Sequence, residues 1–172
     1  GLLLCLLGAA GKGYGQEPEP SFTVNTISIS DRGANSIYAV DVDGDGDLDV
    51  VTASYDNNEI AWHENNGSEI FTAHSIIKGD SGDPIELGDA ARDVYAADID
   101  GDGDMDVISA SANLIGWYEN NGSENFTAHI IATAGRGVSS VYAEDIDGDG
   151  DMDVISGSTK GIFWYEYNAS GN

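Results

Sequence analysis

The stretch Asp41–Asp49, DVDGDGDLD, places an aspartate at every second position around two glycines. The pattern returns as DIDGDGDMD at Asp98–Asp106 and again at Asp145–Asp153. The five carboxylates of each loop lie so close together that they repel one another unless a cation lies between them. The three stretches therefore predict three cation-binding loops, and the sequence around them predicts the fold.

The sequence on both sides of each acidic loop is also repeated. A Tyr-Ala pair preceded by Ile or Val comes before the loop, and an apolar run such as Val50-Val51-Thr52 follows it. A tryptophan comes next, and in the first two copies it leads into an Asn-Asn-Gly-Ser turn and a Phe-Thr segment. The loops begin 57 and then 47 residues apart, with most of the difference inside Ile77–Ala90. The chain is therefore an array of three repeats.

Each repeat predicts four short strands, which we name by their sequences: Phe-Thr, Val-Tyr-Ala, Asp-Val-Ile and a tryptophan strand. They are rich in β-branched and aromatic residues, and no segment shows the 3.6-residue apolar period of a helix. The first Phe-Thr segment is Phe22–Asn25, so the chain opens on this strand and closes on a tryptophan strand. In a propeller, this offset lets the first strand complete the last blade and close the ring. A unit of about 40–50 residues with four strands has the size of a β-propeller blade. We predict an all-β fold of about three four-stranded β-propeller blades.

Three blades are fewer than the four to eight of a typical propeller. A terminal blade would leave an apolar face in water and a strand edge unpaired. We therefore expect these blades to be part of a larger propeller, completed either by further blades of a longer chain or by an oligomer. The chain begins at Gly1 without a methionine, which favours the longer chain.

The acidic loops have the donor chemistry of a calcium site. Calcium prefers six to eight oxygen ligands in a flexible geometry, and alternate positions of a tight loop can supply them. In the first loop we expect the side chains of Asp41, Asp43, Asp45 and Asp49 to bind, together with the backbone carbonyl of Asp47. Hard oxygen donors without His or Cys favour calcium over zinc or copper, and magnesium is the second choice. The predicted ligands of about three Ca²⁺ ions are Asp41, Asp43, Asp45, Asp47, Asp49, Asp98, Asp100, Asp102, Asp104, Asp106, Asp145, Asp147, Asp149, Asp151 and Asp153.

The loop differs from an EF-hand, which has a bidentate Glu at its twelfth position and helices on both sides. Here the twelfth position is Thr52, Ser109 or Ser156, each inside a predicted strand. We expect Gly46 to make the sharp turn of the first loop, at a place where a Cβ would clash. A solvated acidic turn is the alternative, but ordinary turns do not require this pattern three times.

These residues resemble a known family. The string Asp-x-Asp-x-Asp-Gly-x-x-Asp between strands is similar to the calcium loop of FG-GAP repeats, known from the propellers of integrin α-subunits. The longer string Val94–Ser109 resembles the bacterial VCBS-type FG-GAP-like repeat, and the resemblance extends from about Ser21 to Tyr167. The Phe-Gly…Gly-Ala-Pro string that gives the family its name is absent. The resemblance implies a seven-bladed propeller in an extracellular protein, often a cell-adhesion or carbohydrate-associated module.

The chain divides into a leader, a linker and the repeats. Residues 1–16 are predicted to be the remnant of a secretory signal peptide, residues 17–20 a linker, and residues 21–172 the three repeats. The apolar segment Leu2–Ala10 is shorter than the roughly 20 residues that span a bilayer, so no transmembrane segment is predicted. A short buried apolar element is the alternative. Cys5, the only cysteine, lies in this segment. We expect a secreted, extracellular or cell-surface protein without disulfides.

The formal net charge of −25 disfavours nucleic acid and anionic membranes as partners, because both are polyanions, and we predict no nucleic-acid partner. Outside the repeats we find no nucleophile–base pair and no phosphate loop, so we predict that the chain is not an enzyme. The predicted function is a secreted calcium-binding β-propeller module that acts as a binding or adhesion scaffold, with calcium bracing each blade. Its expected partner is an extracellular protein or a glycan. The alternatives are a carbohydrate-binding module, or an accessory region of a secreted hydrolase or lyase.

Other residues that attract attention have structural interpretations. Trp62, Trp117 and Trp164 occupy one repeat position, where blade packing is favoured over sugar stacking. His74 and His129 are also at equivalent positions and are interpreted as scaffold residues. The segment Lys78–Pro84 breaks the repeat, so it is the best candidate for a specific contact. The favoured alternative is a tolerated insertion in a surface loop.

Overall fold

The structure, a computed structural model, describes residues 21–79, 87–133 and 137–168. The predicted signal-peptide remnant and linker lie outside the described residues. Within these ranges the chain forms β-strands and no helix, so no described helix could cross a membrane. The strands are β1 (Ala34–Val40), β2 (Asp49–Ser54), β3 (Glu59–Asn65), β4 (Phe71–Lys78), β5 (Asp93–Ala97), β6 (Asp106–Ala110), β7 (Leu114–Asn120), β8 (Phe126–Thr133), β9 (Val138–Glu144), β10 (Asp153–Ser158) and β11 (Gly161–Tyr165).

The strands form three antiparallel sheets, one for each repeat. The order is β1-β2-β3-β4 in the first sheet, β5-β6-β7-β8 in the second and β9-β10-β11 in the third. Neighbours in each sheet are also neighbours in sequence, because short turns join antiparallel strands. This meander is the architecture of propeller blades, so the prediction of an all-β fold of blades is confirmed.

The sequence repeat is offset by one strand from the structural blade. The Phe-Thr strand is the fourth of its sheet, after the tryptophan strand, as β4 and β8 show. Phe22–Asn25, expected to be such a strand, is in no strand, and Phe22 is 99% exposed. The outer edges of β3 and β7 pair with β4 and β8, and no described strand pairs with the equivalent edge of β11. The third sheet has three strands among the described residues.

Each acidic loop connects the first two strands of its blade. The loop closes on the pairs Val40↔Asp49, Ala97↔Asp106 and Glu144↔Asp153, so its last aspartate is the first residue of the second strand. The equivalent register places the three loops at the same end of their sheets. The candidate metal-binding loop of every blade therefore lies at the same end of the sheet, between the first two strands.

The first strands of the three blades lie side by side, with β5 in contact with both β1 and β9. The rings of Tyr38, Tyr95 and Tyr142 form a continuous row along them, with centroids 4.6 and 4.5 Å apart. Burial, together with hydrogen bonds to the other two hydroxyls, raises the pKa of Tyr95. In a propeller, the first strands of successive blades lie next to one another around the central axis.

The apolar core lies between the blades and forms two clusters. The first joins Ile60 and Trp62 of the first blade to Val94 and Tyr118 of the second. The second cluster joins the second blade to the third, through residues that include Ile99, Ile108, Ile115, Val138, Val141 and Val154. Packing of faces rather than of edges holds the blades together.

The tryptophans show how far this packing extends. Trp62 is 1% exposed inside the first cluster, and Trp117 packs against the second cluster. These two positions confirm the interpretation as blade-packing residues. Trp164, in the third blade, is 47% exposed.

One carboxylate links all three blades. Asp93, on β5, accepts a hydrogen bond of 2.5 Å from Ser36 Oγ on β1 and one of 3.0 Å from the backbone N–H of Val141 on β9. Next to it, Arg92 donates to the carbonyl of Val138 at 2.9 Å. These bonds tie the first strands together close to the row of tyrosines.

Candidate metal centre

Two glycines shape each acidic loop. In the first loop Gly44 and Gly46 have φ angles of +78° and +96°, and the other two loops repeat these values closely. A Cβ added at Gly46 would meet no atom within 4 Å, so the expected clash is not found. The requirement for glycine is conformational, because L-residues with a side chain rarely adopt such φ values.

The first aspartate of each loop closes the turn. Asp41 accepts hydrogen bonds from the backbone N–H groups of Gly44 at 2.8 Å and of Gly46 at 2.9 Å, one on each carboxylate oxygen. Asp98 and Asp145 make the same pair of bonds. Each carboxylate oxygen has a further lone pair, so these bonds orient the group without using all of its acceptor capacity.

The third and fifth positions are oriented by bonds to the backbone two residues ahead. Asp43 Oδ1 accepts from the N–H of Asp45 at 3.1 Å, and Asp45 Oδ1 accepts from the N–H of Asp47 at 2.8 Å. The other loops repeat both bonds. Each bond engages Oδ1 and holds the carboxylate in place. The loop is therefore preorganised by its own backbone.

The seventh aspartate lies against the turn that follows the tryptophan strand. A Cβ at Gly67 would overlap the carboxylate of Asp47, and one at Gly122 would overlap that of Asp104. Both glycines also have positive φ angles, +74° and +70°. The Asn-Asn-Gly-Ser turn therefore supports the acidic loop, a relationship that the spacing of the repeat alone does not reveal.

The ninth aspartate is buried and holds the loop to the third strand. Asp106 is 0% exposed and accepts hydrogen bonds from the N–H of Ile99 at 3.1 Å, the N–H of Asn120 at 2.7 Å and the indole N–H of Trp117 at 3.0 Å. Burial raises the pKa of Asp106 to about 6. The equivalent residues Asp49 and Asp153 accept backbone N–H groups from the same two places.

The structure brings three carboxylates together in every loop. Oxygen atoms within 4.8 Å of one another come from the triplets Asp41, Asp43 and Asp49, then Asp98, Asp100 and Asp102, and finally Asp145, Asp147 and Asp149. The other predicted ligands of the three loops lie outside these triplets: Asp45, Asp47, Asp104, Asp106, Asp151 and Asp153. Each triplet is an all-oxygen donor set, which fits a hard cation such as calcium and could hold one.

The loop carboxylates show the electrostatic cost of their proximity. Burial raises the pKa of Asp43, and the charges of Asp45, Asp49 and Asp41 raise it further. Asp100 has a raised pKa for the same reasons. A cation between these carboxylates would remove the repulsion that favours protonation.

The histidines at equivalent positions belong to the scaffold. His74 stacks on Trp62 and His129 stacks on Trp117, both with centroids 4.6 Å apart. Their Nε2 atoms lie 2.9 Å from Glu64 and 2.7 Å from Glu119. These contacts fit the interpretation of both histidines as scaffold residues, and His74 also lines the cavity described below.

His63 occupies a position that is tyrosine in the other blades. Its Nε2 lies 3.4 Å from Thr52 Oγ1 and 3.3 Å from Asp31 Oδ2, and the side chain is 1% exposed. In the second blade Tyr118 and Ser109 make the equivalent contact, with their oxygens 3.1 Å apart. His63 is therefore a buried packing residue rather than part of a site shared by the blades.

A polar cavity of about 430 Å³ lies on the first blade. Its lining includes Asp31, Asn57, Glu59, His74 and Lys78. Lys78 pairs with Glu59 at 3.2 Å. The break in the repeat begins at Lys78, although residues 80–86 lie outside the described residues.

Comparison with known proteins identifies the repeat. The FG-GAP-like repeat family matches residues 41–109 and 98–156. No curated protein matches the chain. A solved structure, described as the basis of specific recognition of non-reducing terminal N-acetylglucosamine by an Agrocybe aegerita lectin, is similar with a TM-score of 0.54 and 24% identity. The similarity covers 78% of this chain and 35% of the lectin chain, so it concerns the fold alone. Because the family match extends over more than half of its residues, the chain belongs to the FG-GAP-like repeat family.

Proposed function

We propose that this chain is a secreted, calcium-binding β-propeller module that serves as a non-catalytic binding or adhesion scaffold, with one calcium ion bracing each blade. The observation that carries the proposal is the convergence of three carboxylates in the same hairpin loop of every blade. Three equivalent sites favour a structural role, because an active site is normally a single asymmetric constellation.

The connections of the loop explain how a bound ion would brace a blade. The loop joins the first two strands, and its ninth aspartate is bonded to the end of the third strand. In the second blade, Asn120 also donates to the carbonyl of Met105 at 3.2 Å and to that of Val42, in the first loop, at 3.3 Å. Fixing the loops would therefore stiffen each sheet and the seam between the first two blades.

Secretion and a binding role are supported by the sequence and by the family. An exported domain without disulfides gains stability from metal ions, since ions that bind the folded state shift the folding equilibrium. The acidic surface suits extracellular protein or glycan partners better than nucleic acid. Propellers present loops at the ends of a rigid ring, which makes them suitable scaffolds for binding.

Thermal unfolding with and without calcium tests the proposal. A site saturated at a hundred times its Kd adds about 2.7 kcal/mol of stability, so calcium should raise the Tm and EDTA should lower it. Magnesium at the same concentration should have a smaller effect, because it dehydrates reluctantly and demands octahedral geometry. The same Tm in calcium, in EDTA and in magnesium would contradict the proposal.

A second candidate function is glycan binding at the polar cavity of the first blade. Its lining combines charged groups with the amide of Asn57, groups that can bond sugar hydroxyls. The lectin of similar fold recognises terminal N-acetylglucosamine. We propose that an N-acetylated sugar is the first ligand to test here.

The glycan hypothesis can be tested by a titration with N-acetylglucosamine and by glycan-array binding. The variants Asn57→Ala and Lys78→Ala should weaken binding. Lys160→Ala changes an exposed lysine in the third blade and is the matched control. Binding that is absent, or that all three variants lower equally, would contradict this location for the site.

A further inference from the structure

One buried side chain joins the acidic loops of two neighbouring blades. Asn120, the last residue of β7, is 1% exposed. Its amide nitrogen donates to the carbonyl of Met105 in the second loop at 3.2 Å and to the carbonyl of Val42 in the first loop at 3.3 Å. A carboxamide has two N–H donors, so these two bonds use both of them. Asn120 therefore connects two candidate calcium sites directly.

The orientation of Asn120 is fixed by its own blade. Its Oδ1 accepts the backbone N–H of Gly122 at 3.2 Å, so the NH₂ group faces the two carbonyls. Its backbone N–H donates to Oδ1 of Asp106, the last aspartate of the second loop, at 2.7 Å. A buried amide whose polar atoms are all bonded is held rigidly. Displacement of either loop must therefore stretch or break a hydrogen bond to Asn120.

Val42 lies between two carboxylates of the first triplet. Its chain neighbours Asp41 and Asp43 both contribute oxygens to that triplet. The side chain of Val42 is 3% exposed and belongs to the core cluster that includes Val94 of the second blade. The second blade thus contacts this residue through its side chain and through its carbonyl. Ordering of the first loop around a cation would fix Val42, and with it the acceptor of the bond from Asn120.

The seam between the second and third blades has a different residue at this position. The sequence Trp-Tyr-Glu-Asn of the second blade becomes Trp-Tyr-Glu-Tyr in the third, so Tyr167 replaces Asn120. A tyrosine has a single hydroxyl donor and cannot give one N–H to each of two carbonyls. Ile99, the equivalent of Val42, is still 3% exposed in the core between these blades. The second seam therefore keeps the apolar contact and lacks the amide connection.

We propose that the first and second loops bind calcium with positive cooperativity, and that Asn120 transmits the coupling between them. The inference rests on the proposed calcium binding and goes beyond it, because independent braces require no coupling. Filling one loop fixes a carbonyl that Asn120 binds, so the other loop has less conformational freedom left to lose. The effect is reciprocal, and each loop should raise the affinity of the other by a factor of about five, the lower end of measured couplings.

Calorimetric titration of single loops and pairs of loops measures this coupling. A loop is disabled when the first two aspartates of its triplet are replaced by asparagine: Asp41 and Asp43, Asp98 and Asp100, or Asp145 and Asp147. The coupling factor is the product of the two calcium-binding constants of a pair, divided by the product for the same two loops alone. It should be about five for the first and second loops. It should be smaller for the second and third loops, which keep only the apolar contact.

Variants of Asn120 test whether this residue carries the coupling. Asn120→Ala and Asn120→Asp should both bring the factor of the first pair close to one. Asn120→Asp keeps the size of the side chain and an acceptor for Gly122, but it cannot donate to either carbonyl. Asn65→Ala is the matched control, because Asn65 donates to the carbonyl of Leu48 in its own loop at 3.2 Å. The control should weaken the first loop and leave the coupling factor unchanged.

The possible results separate the coupling from calcium binding itself. Independent binding by the first and second loops would overturn the coupling and leave the proposed function intact. A factor that survives both Asn120 variants, or that is equal in the two pairs of loops, would also overturn it. No calcium binding by any loop, in variants that retain the circular dichroism of the sheets, would contradict the proposed function and the coupling with it.

Discussion

The indole N–H of Trp117 donates a hydrogen bond of 3.0 Å to Oδ2 of Asp106, the last residue of the second acidic loop. The two most recognisable parts of the repeat, the acidic loop and the tryptophan, are therefore in direct contact. The first blade differs, because Trp62 Nε1 is buried without a partner among the described residues. Trp117 in the second blade and Trp62 in the first blade therefore allow the effect of this hydrogen bond to be compared.

Trp117→Phe should destabilise the protein more than Trp62→Phe. Both changes remove a similar indole volume, but only the first deprives a buried carboxylate of a donor. Loss of a partner to a buried charged group costs about 1–3 kcal/mol. Urea unfolding of both variants measures the difference. Equal losses would show that the hydrogen bond to Asp106 contributes nothing.

Asp93→Ala should weaken the association of all three blades. The change removes the acceptor of Ser36 Oγ and of the Val141 N–H, and the two donors lie on different blades. We expect a loss of about 2 kcal/mol and a broader unfolding transition. Ser140→Ala alters the equivalent position of the third blade, which is exposed, and should be nearly neutral. Denaturation followed by circular dichroism compares the two variants, and similar stabilities would contradict the linking role.

The two loop glycines should respond differently to asparagine. Gly101 has a φ angle of +77°, close to the left-handed region that asparagine tolerates, whereas Gly103 has a φ angle of +100°. Neither position has an atom within 4 Å of an added Cβ, so backbone strain alone decides the result. Gly103→Asn should lose about 1 kcal/mol or more and bind calcium less tightly, and Gly101→Asn should lose less. The reverse order in a calcium titration would refute this reading of the loop.

Much of this fold could be predicted from local sequence. The acidic loops and the strands around them follow from short patterns, because a loop and the strands it joins are adjacent in the chain. The pairing partner of each Phe-Thr strand does not follow from local sequence in the same way. A segment between a tryptophan strand and a Tyr-Ala strand borders two blades in sequence, and only tertiary pairing assigns it to the earlier one.

The structural role of the ninth aspartate also depends on tertiary structure. Asp106 is a predicted ligand like the others, and the structure adds that its buried carboxylate accepts three hydrogen bonds and joins the loop to the third strand. The row of Tyr38, Tyr95 and Tyr142 was missed as well. The recurring tyrosine was a signal in the sequence, yet its meaning depends on first strands lying side by side.

Calorimetric titration of calcium into the chelator-treated chain tests whether each acidic loop binds one ion. The three carboxylate triplets should give saturable binding of three ions per chain. A variant in which Asp98, Asp100 and Asp102 are all replaced by Asn should bind two ions and retain the circular dichroism of the sheets. No saturable binding, or three ions still bound by that variant, would show that the triplets are not calcium sites.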